Sequence, residues 1–214
     1  MKDYCRLYLV RHGQTDWNKA KVFRGRADRP LSDLGRAEAL AVGEALKDVP
    51  VDMIYASPLK RARQTVEPLA HYQGKKIRSL PGVIDIDYGS WSGNADADVA
   101  KAYPKLYAAW KKRPETVIFP KGESLARVAT RTMAALRELA RNHPGKTVVV
   151  ASHRVVCKVA ALKLLGLPLD RFWDLRQDVA CINLFEYQPP RVIVHLLNDT
   201  CHLKALPNRI TADF

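Results

Sequence analysis

The stretch RLYLVRHGQTDWN, residues 6–18, decides how the whole chain is read. Its first half is an apolar run of strand-forming residues, the pattern of a strand covered on both faces in a parallel sheet. The run stops abruptly at Arg11, His12 and Gly13. A strand that only turned back into solvent would need the glycine, but not an imidazole beside a permanent cation. The Arg-His pair therefore marks a candidate site at a strand end.

Two further segments repeat this pattern, VDMIYA at 51–56 and TVVVAS at 147–152, and helical periodicity follows each of the three. In LSDLGRAEALAVGEALKD, Ser32 is placed to cap a helix. SPLKRARQTVEPLAHY carries Pro58 near a helix start, and RVVCKVAALKLLGL is closed by Gly166. This β-α repetition predicts a three-layer α/β sandwich: a largely parallel central sheet with an antiparallel edge strand and helices on both faces. KKIRSL reads as a weaker strand, residues 95–112 as helix interrupted by Pro104, and residues 123–142 as a long amphipathic helix. CINLFEY and RVIVHLL flank QPP as a hairpin at the sheet edge. Residues 1–214 are expected to form one domain with a small helical insertion around 90–122, and the tail from Lys204 is left unassigned.

The 214 residues are 47% hydrophobic and 27% charged, ordinary for a globular protein. No apolar run approaches the about 18 residues of a membrane span, so no membrane partner is expected. The N-terminal MKDYCRLYLV enters a strand without the apolar core of a signal peptide, which makes the cytoplasm the expected location. Cys5, Cys157, Cys181 and Cys201 form no C-x-x-C pair and are expected to be free, buried thiols. His153 and Cys157 stand four apart but lack a further ligand pair, so neither a metal nor another cofactor is expected.

The formal charge of +13 favours anionic partners. The basic residues come in short groups, at 19–26, 60–63, 75–78 and 111–113, without interleaved stacking aromatics. They read as solvated faces, so a small phosphorylated substrate is expected and nucleic acid is not. A homodimer is left open.

In open α/β sheets, sites form beyond the carboxyl ends of the strands. His12, the 57–61 segment and His153 each follow a strand, so the topology can bring Arg11, His12, Arg61 and His153 to one pocket. Guanidinium forks match phosphate oxygens, and helix N-termini add N–H donors. An imidazole with one nitrogen held as N–H by a backbone carbonyl would present its other lone pair to phosphorus. Charge developing on the phosphoryl oxygens would be met by Arg11, Arg61 and a protonated His153. Asp85 and Asp87 in IDIDYG are the candidates to protonate the leaving alcohol, a role that burial would favour by keeping a carboxyl neutral.

These motifs resemble the histidine phosphatase superfamily, the phosphoglycerate mutase-like proteins, across nearly the whole chain. LVRHGQTDWN, PLSDLGRAEA, SPLKRARQT, KGESLARV and VVVASH follow one another in the family's order. The resemblance implies that His12 is the phosphorylated nucleophile, that Arg11, Arg61 and His153 bind the phosphoryl group, and that Asn18 assists. Counting four residues back from Gly89 puts the proton donor at Asp85, where the family usually has glutamate. The reach is then shorter by one methylene, roughly 1.5 Å. Arg154 stands where the family usually has glycine; it reads either as a solvent-facing helix-start residue or as an added substrate contact. Arg24, Gly25 and Tyr88 are read as specificity contacts.

Gln14 and Thr15, together with the compact connection before the second histidine, resemble the phosphatase branch. The implied activity is a metal-independent phosphomonoester phosphatase, with a phosphoglycerate mutase or a noncatalytic anion or nucleic-acid binder as alternatives. IDIDYGSWSG and LNDTCHL are similar to phosphoserine and broad-specificity phosphatases, and a ribazole phosphatase is also compatible. Tyr88 stands where the phosphoserine enzymes are expected to carry histidine. His71, His143, His195 and His202 are read as surface or structural, His202 lying near the site if the tail folds over it. Trp91, Trp110 and Trp173 are read as core or loop anchors.

Overall fold

The structure is a computed structural model that describes residues 4–188 and 191–206. Thirteen labelled elements follow in order: β1 (Cys5–Arg11), α1 (Asp16–Lys19), α2 (Asp33–Leu46), β2 (Met53–Ala56), α3 (Lys60–Tyr72), β3 (Ile77–Ser79), α4 (Asp96–Ala102), α5 (Pro104–Lys112), α6 (Leu125–Asn142), β4 (Thr147–Ser152), α7 (Arg154–Leu164), β5 (Ile182–Gln188) and β6 (Arg191–Asp199). Pro189 and Pro190 of the QPP turn, and the tail beyond Leu206, lie outside the described residues.

The six strands form one sheet in the order β3-β2-β4-β1-β5-β6. β3, β2, β4 and β1 run parallel, whereas β5 runs antiparallel to β1 and β6 antiparallel to β5. The predicted hairpin thus occupies one edge, with β5 set directly against the site-bearing strand β1. Alternation along the central strands divides the core between two faces. Leu7, Leu9, Val148 and Val150 pack with Val128 and Leu136 of α6 and Val156 of α7. Tyr8, Val10, Val149 and Ala151 pack with Val42 of α2 and Val66 and Leu69 of α3. Ser32 caps α2 as expected, its hydroxyl accepting the Gly35 N–H at 3.1 Å.

The 90–122 stretch contributes α4 and α5, separated at Tyr103–Pro104 because proline fits the first turn of a new helix but not the interior of the old one. Its fully buried Trp91, Trp110 and Phe119 join the α6–α7 face of the core, with neighbouring ring centroids 5.0–5.2 Å apart. Trp173 donates its indole N–H to the Trp110 carbonyl at 2.8 Å, so the three tryptophans serve as anchors. The four cysteines are free; Cys5, Cys157 and Cys181 are buried, but Cys201 is exposed, contrary to expectation. Among the described residues no helix is long and apolar enough to cross a membrane.

Candidate active site

The register brings the strand ends together. Arg11 at the end of β1 faces Ser152 at the end of β4, and the His12 N–H donates to the Ser152 carbonyl at 2.9 Å. His153 follows Ser152, and its ring lies 5.3 Å from that of His12, centroid to centroid. From β2, Ser57 reaches His153 Nε2 with its Oγ at 2.7 Å. A single pocket is then lined by His12, Arg24, Asp85, Tyr88 and Arg154, with Phe23 and Val155 as apolar wall.

Gly13 has a steric reason to be where it is. A Cβ there would lie 2.8 Å from the Gly35 carbonyl oxygen, and one on Gly35 would lie 2.0 Å from that of Gln14. The two glycines let the start of α2 lie directly against the His12 loop. The loop is then held by side chains behind it: the Gly13 N–H donates to Thr65 Oγ1 at 3.0 Å and the Gln14 N–H to Glu38 Oε2 at 2.6 Å. In this posture the Gly13 carbonyl accepts from His12 Nδ1 at 2.6 Å. That bond places the proton on Nδ1 and leaves the lone pair on Nε2.

His12 is buried, and desolvation together with the Arg61, Arg11 and Arg24 guanidiniums drives its pKa well below the ordinary imidazole value. The ring is therefore neutral and nucleophilic at neutral pH. Burial, Arg61 and His12 act on His153 in the same direction. The expected protonated His153 is thus corrected for this state of the site: burial among guanidiniums favours the neutral ring, and only an anion brought between them would offset that.

Arg11 is fully buried and donates through Nη1 to the Gln177 carbonyl at 2.5 Å. Arg61, equally buried, donates to the carbonyls of Ala27 (2.7 Å) and Gly25 (2.8 Å) and pairs with Asp85 Oδ2 at 2.9 Å. Burial pulls the Arg61 pKa down to about 10, so the group remains charged at neutral pH. Asp85 is buried and well partnered: Oδ2 meets Arg61 and lies 3.6 Å from His153 Nδ1, while Oδ1 accepts the Ile86 N–H. Its shorter side chain nonetheless reaches the site. Asp87, two residues on, turns outward, accepting the Gly89 N–H and facing Arg26 at 3.6 Å.

The other candidates divide. Arg24, Tyr88 and Arg154 line the pocket. Arg154 is 8% exposed, hydrogen-bonds the Tyr88 hydroxyl and stands 5.9 Å over the Trp173 ring, which corrects the solvent-facing reading. Asn18 is buried with Oδ1 accepting from the Thr15 N–H (2.8 Å) and hydroxyl (2.9 Å), so it shapes the turn after the nucleophile loop. Gly25 does not line the pocket; with φ +49° and its carbonyl on Arg61, it acts through the backbone. His202 does approach the loop behind His12, its Nε2 lying 3.1 Å from the Ala180 carbonyl, while the Ala180 N–H donates to the His12 carbonyl.

Sequence reasoning missed Glu38, Thr65, Arg131 and the bracing role of Glu123. Arg131 donates to the carbonyls of Gly82 (2.9 Å), Ile84 (2.6 Å) and Asp85 (3.1 Å), and pairs with Glu123. Glu123 in turn accepts the Asp87 N–H at 3.0 Å. These two residues draw the acid loop inward. Glu38 had a legible signal, because it shares the buried helical stripe of Gly35, Ala39 and Val42, where a carboxylate is out of place. Arg131 had none.

The sequence model of the histidine phosphatase superfamily (branch 1) matches residues 7–200. Phosphoserine phosphatase 1 of Hydrogenobacter thermophilus is 35% identical over 198 residues, covering 92% of this chain and 94% of that relative. A glucosyl-3-phosphoglycerate phosphatase of Mycolicibacterium vanbaalenii is 31% identical, over 78% of this chain and 77% of its own length. Among solved structures, Bacillus stearothermophilus YhfR superposes with a TM-score of 0.90 at 27% identity, covering 94% of this chain and 100% of that one. The motif order, the strand-end pocket and these matches agree: the chain belongs to the histidine phosphatase superfamily, branch 1, and is a phosphomonoester hydrolase.

Proposed function

We propose that this protein hydrolyses a small phosphorylated metabolite in the cytoplasm, without a metal ion, through a phosphohistidine on His12. The observation that carries the reading is the state of that ring: neutral, its Nδ1 proton held by the Gly13 carbonyl, in a setting of buried guanidiniums. Nε2 attacks phosphorus, the P–O ester bond breaks, and its electron pair leaves with the alcohol oxygen. Asp85 supplies the proton for that oxygen. The arriving phosphoryl dianion competes with Asp85 for Arg61, which disfavours a second negative charge there and supports proton uptake by the carboxyl.

In the second half, Asp85 takes a proton from water as the water oxygen attacks phosphorus. The N–P bond breaks, its pair returns to Nε2, and inorganic phosphate departs. Arg11 and Arg61 stabilise the equatorial oxygens in both steps, a role metal ions fill in many phosphoryl-transfer sites. His153, between Ser57 and Asp85, becomes cationic once the dianion offsets the surrounding positive charge.

The test is phosphate release from a panel of phosphomonoesters in the presence of chelator, comparing wild type with His12→Ala. Release by wild type alone, with acid-labile phosphate trapped on His12 in a quenched turnover, is the expected result. An active His12→Ala enzyme, or activity restored only by a divalent ion, would overturn the mechanism. Redistribution of phosphate between hydroxyls without release would identify a mutase instead.

A further inference from the structure

Attack by His12 Nε2 changes the charge of the whole ring. Nδ1 keeps its proton throughout, so the imidazole becomes a cation as the N–P bond forms. Arg61, Arg11 and Arg24 oppose that change, as they already oppose protonation of the resting ring. The Gly13 carbonyl, 2.6 Å from Nδ1, works in the other direction, because a hydrogen bond from Nδ1–H strengthens as the ring gains positive charge. The quality of this one acceptor therefore bears directly on the barrier.

That acceptor is half of a peptide unit whose other half is engaged. The Gly13 carbonyl and the Gln14 N–H belong to one planar amide, and the Gln14 N–H donates to Glu38 Oε2 at 2.6 Å. Glu38 lies on α2 and is fully buried. A contact this short is what a charged acceptor makes. In a trans amide the oxygen and the N–H point to opposite sides, so the carboxylate and the imidazole occupy the two ends of one peptide dipole. Negative charge at the N–H end favours the charge-separated form of the amide, which places more negative charge on the carbonyl oxygen.

The surroundings hold this chain of groups in line. The Gly13 N–H donates to Thr65 Oγ1 at 3.0 Å, and the Thr65 hydroxyl donates to the Arg61 carbonyl at 2.7 Å. The Gln14 carbonyl accepts the Ser32 N–H at 2.9 Å. A Cβ on Gly13 would lie 3.2 Å from Glu38 Oε2, so the glycine is what lets the carboxylate come so close. Thr65 also shows that a neutral hydroxyl suffices to brace this loop. A buried carboxylate costs far more to desolvate, and its charge is what it adds.

We infer that Glu38 is a positioning residue acting on His12 through the Gly13–Gln14 peptide, its negative charge stabilising the cationic ring of the transition state and of the phosphohistidine. This inference rests on the phosphohistidine reading, which makes Nε2 the reacting atom. No proton travels along the chain. The Nε2 pair forms the N–P bond, the ester pair leaves with the alcohol oxygen, and the Nδ1 proton stays on His12 until water cleaves N–P and the pair returns.

The experiment is Glu38→Gln, which keeps the size of the side chain and a carbonyl acceptor for the Gln14 N–H but removes the charge. Rapid-quench trapping of acid-labile phosphate with p-nitrophenyl phosphate, whose leaving group needs no proton, should show His12 phosphorylation slowed about tenfold with KM little changed. NMR of isotopically labelled histidines should show His12 still protonated on Nδ1, with that proton moved upfield as its hydrogen bond weakens. Glu38→Asp draws the carboxylate back by roughly 1.5 Å and should give smaller changes in the same direction. It carries the test, by the same two readouts, if thermal unfolding shows the Gln variant unfolded. Glu44→Gln, exposed on the same helix and paired with Lys47, should alter neither readout. An unchanged phosphorylation rate in Glu38→Gln would overturn the inference. A lowered rate with the Nδ1 proton unmoved, or with the proton transferred to Nε2, would overturn it too and leave Glu38 as a brace of the loop. Absence of acid-labile phosphate on His12 in wild type would instead remove the reading on which the inference stands.

Discussion

Lys60 and Arg61 are neighbours at the start of α3, yet they belong to different regions of the molecule. Lys60 is exposed and faces Asp28 across 3.9 Å, like the solvated Lys75, Lys76, Arg78 and Lys111–Arg113 groups. Arg61 is fully buried, as is Arg11, while Arg24 and Arg154 are nearly so. The net charge of +13 thus mixes two populations. The exposed one is screened by salt and water and sets solubility and long-range attraction. The buried one acts in a low-dielectric pocket, where Arg11, Arg24 and Arg61 bear on the protonation of His12 and where Arg11 and Arg61 are fastened to backbone carbonyls.

Breaking the buried population should cost most. Arg61→Gln is expected to lower kcat/KM by about 10²- to 10³-fold, the scale of removing one transition-state donor. It also strands Asp85, at a cost of about 3–5 kcal/mol on the scale of broken buried pairs, measurable by denaturant unfolding. Lys60→Gln next door should change stability by less than about 0.5 kcal/mol and leave turnover intact. Comparable effects at the two positions would erase the distinction.

The acid loop sharpens the comparison over two residues. Asp85→Asn should cost about 10²-fold on alkyl phosphates and much less on p-nitrophenyl phosphate, whose leaving group needs no proton. Asp87→Asn, facing Arg26 on the outside, should leave that leaving-group dependence unchanged. Equal losses of Asp85→Asn on both substrate types would assign it a positioning role.

A smaller effect is expected behind the loop. Arg131→Gln removes donors from three loop carbonyls and should lower kcat on alkyl phosphates by about tenfold with KM little changed, reproducing part of the Asp85→Asn selectivity. A loss confined to KM would show that the brace shapes binding only.

The smallest and most diagnostic effects concern pH. Because His12 titrates well below 6.5, its neutral form persists as pH falls, so the acid limb of kcat/KM for p-nitrophenyl phosphate should not lie at an ordinary imidazole value. Arg24→Gln removes a repelling cation and should move that limb upward, whereas Lys112→Gln should not. Stability has its own sign. The imidazoles of His12 and His153 bind protons near 6.5 when unfolded but not when folded, so acidification below about pH 6.5 should lower the thermal midpoint. An unchanged midpoint from pH 7 to 5 would contradict the neutral, buried state of both rings.

Much of this was legible in the chain itself. The β-α periodicity, Ser32, Pro104 and Gly166 are local signals, read from side-chain spacing and backbone preference, and each falls where the elements begin or end. The strand-end rule placed Arg11, His12, Arg61 and His153 together because parallel topology leaves few other arrangements. What remained for the tertiary structure were decisions that depend on neighbours from distant segments. Asp85 and Asp87 are indistinguishable as residues in a loop; Arg131 and Glu123, from α6 and its approach, turn one inward and the other outward. Arg154 is a helix-start arginine until Tyr88 and Trp173 converge on it from two other segments. The protonation of His153 likewise follows from desolvation and Arg61, neither of which exists before the chain is folded. Sequence determines what can be local and periodic; direction, burial and charge state arise only when remote side chains share one low-dielectric space.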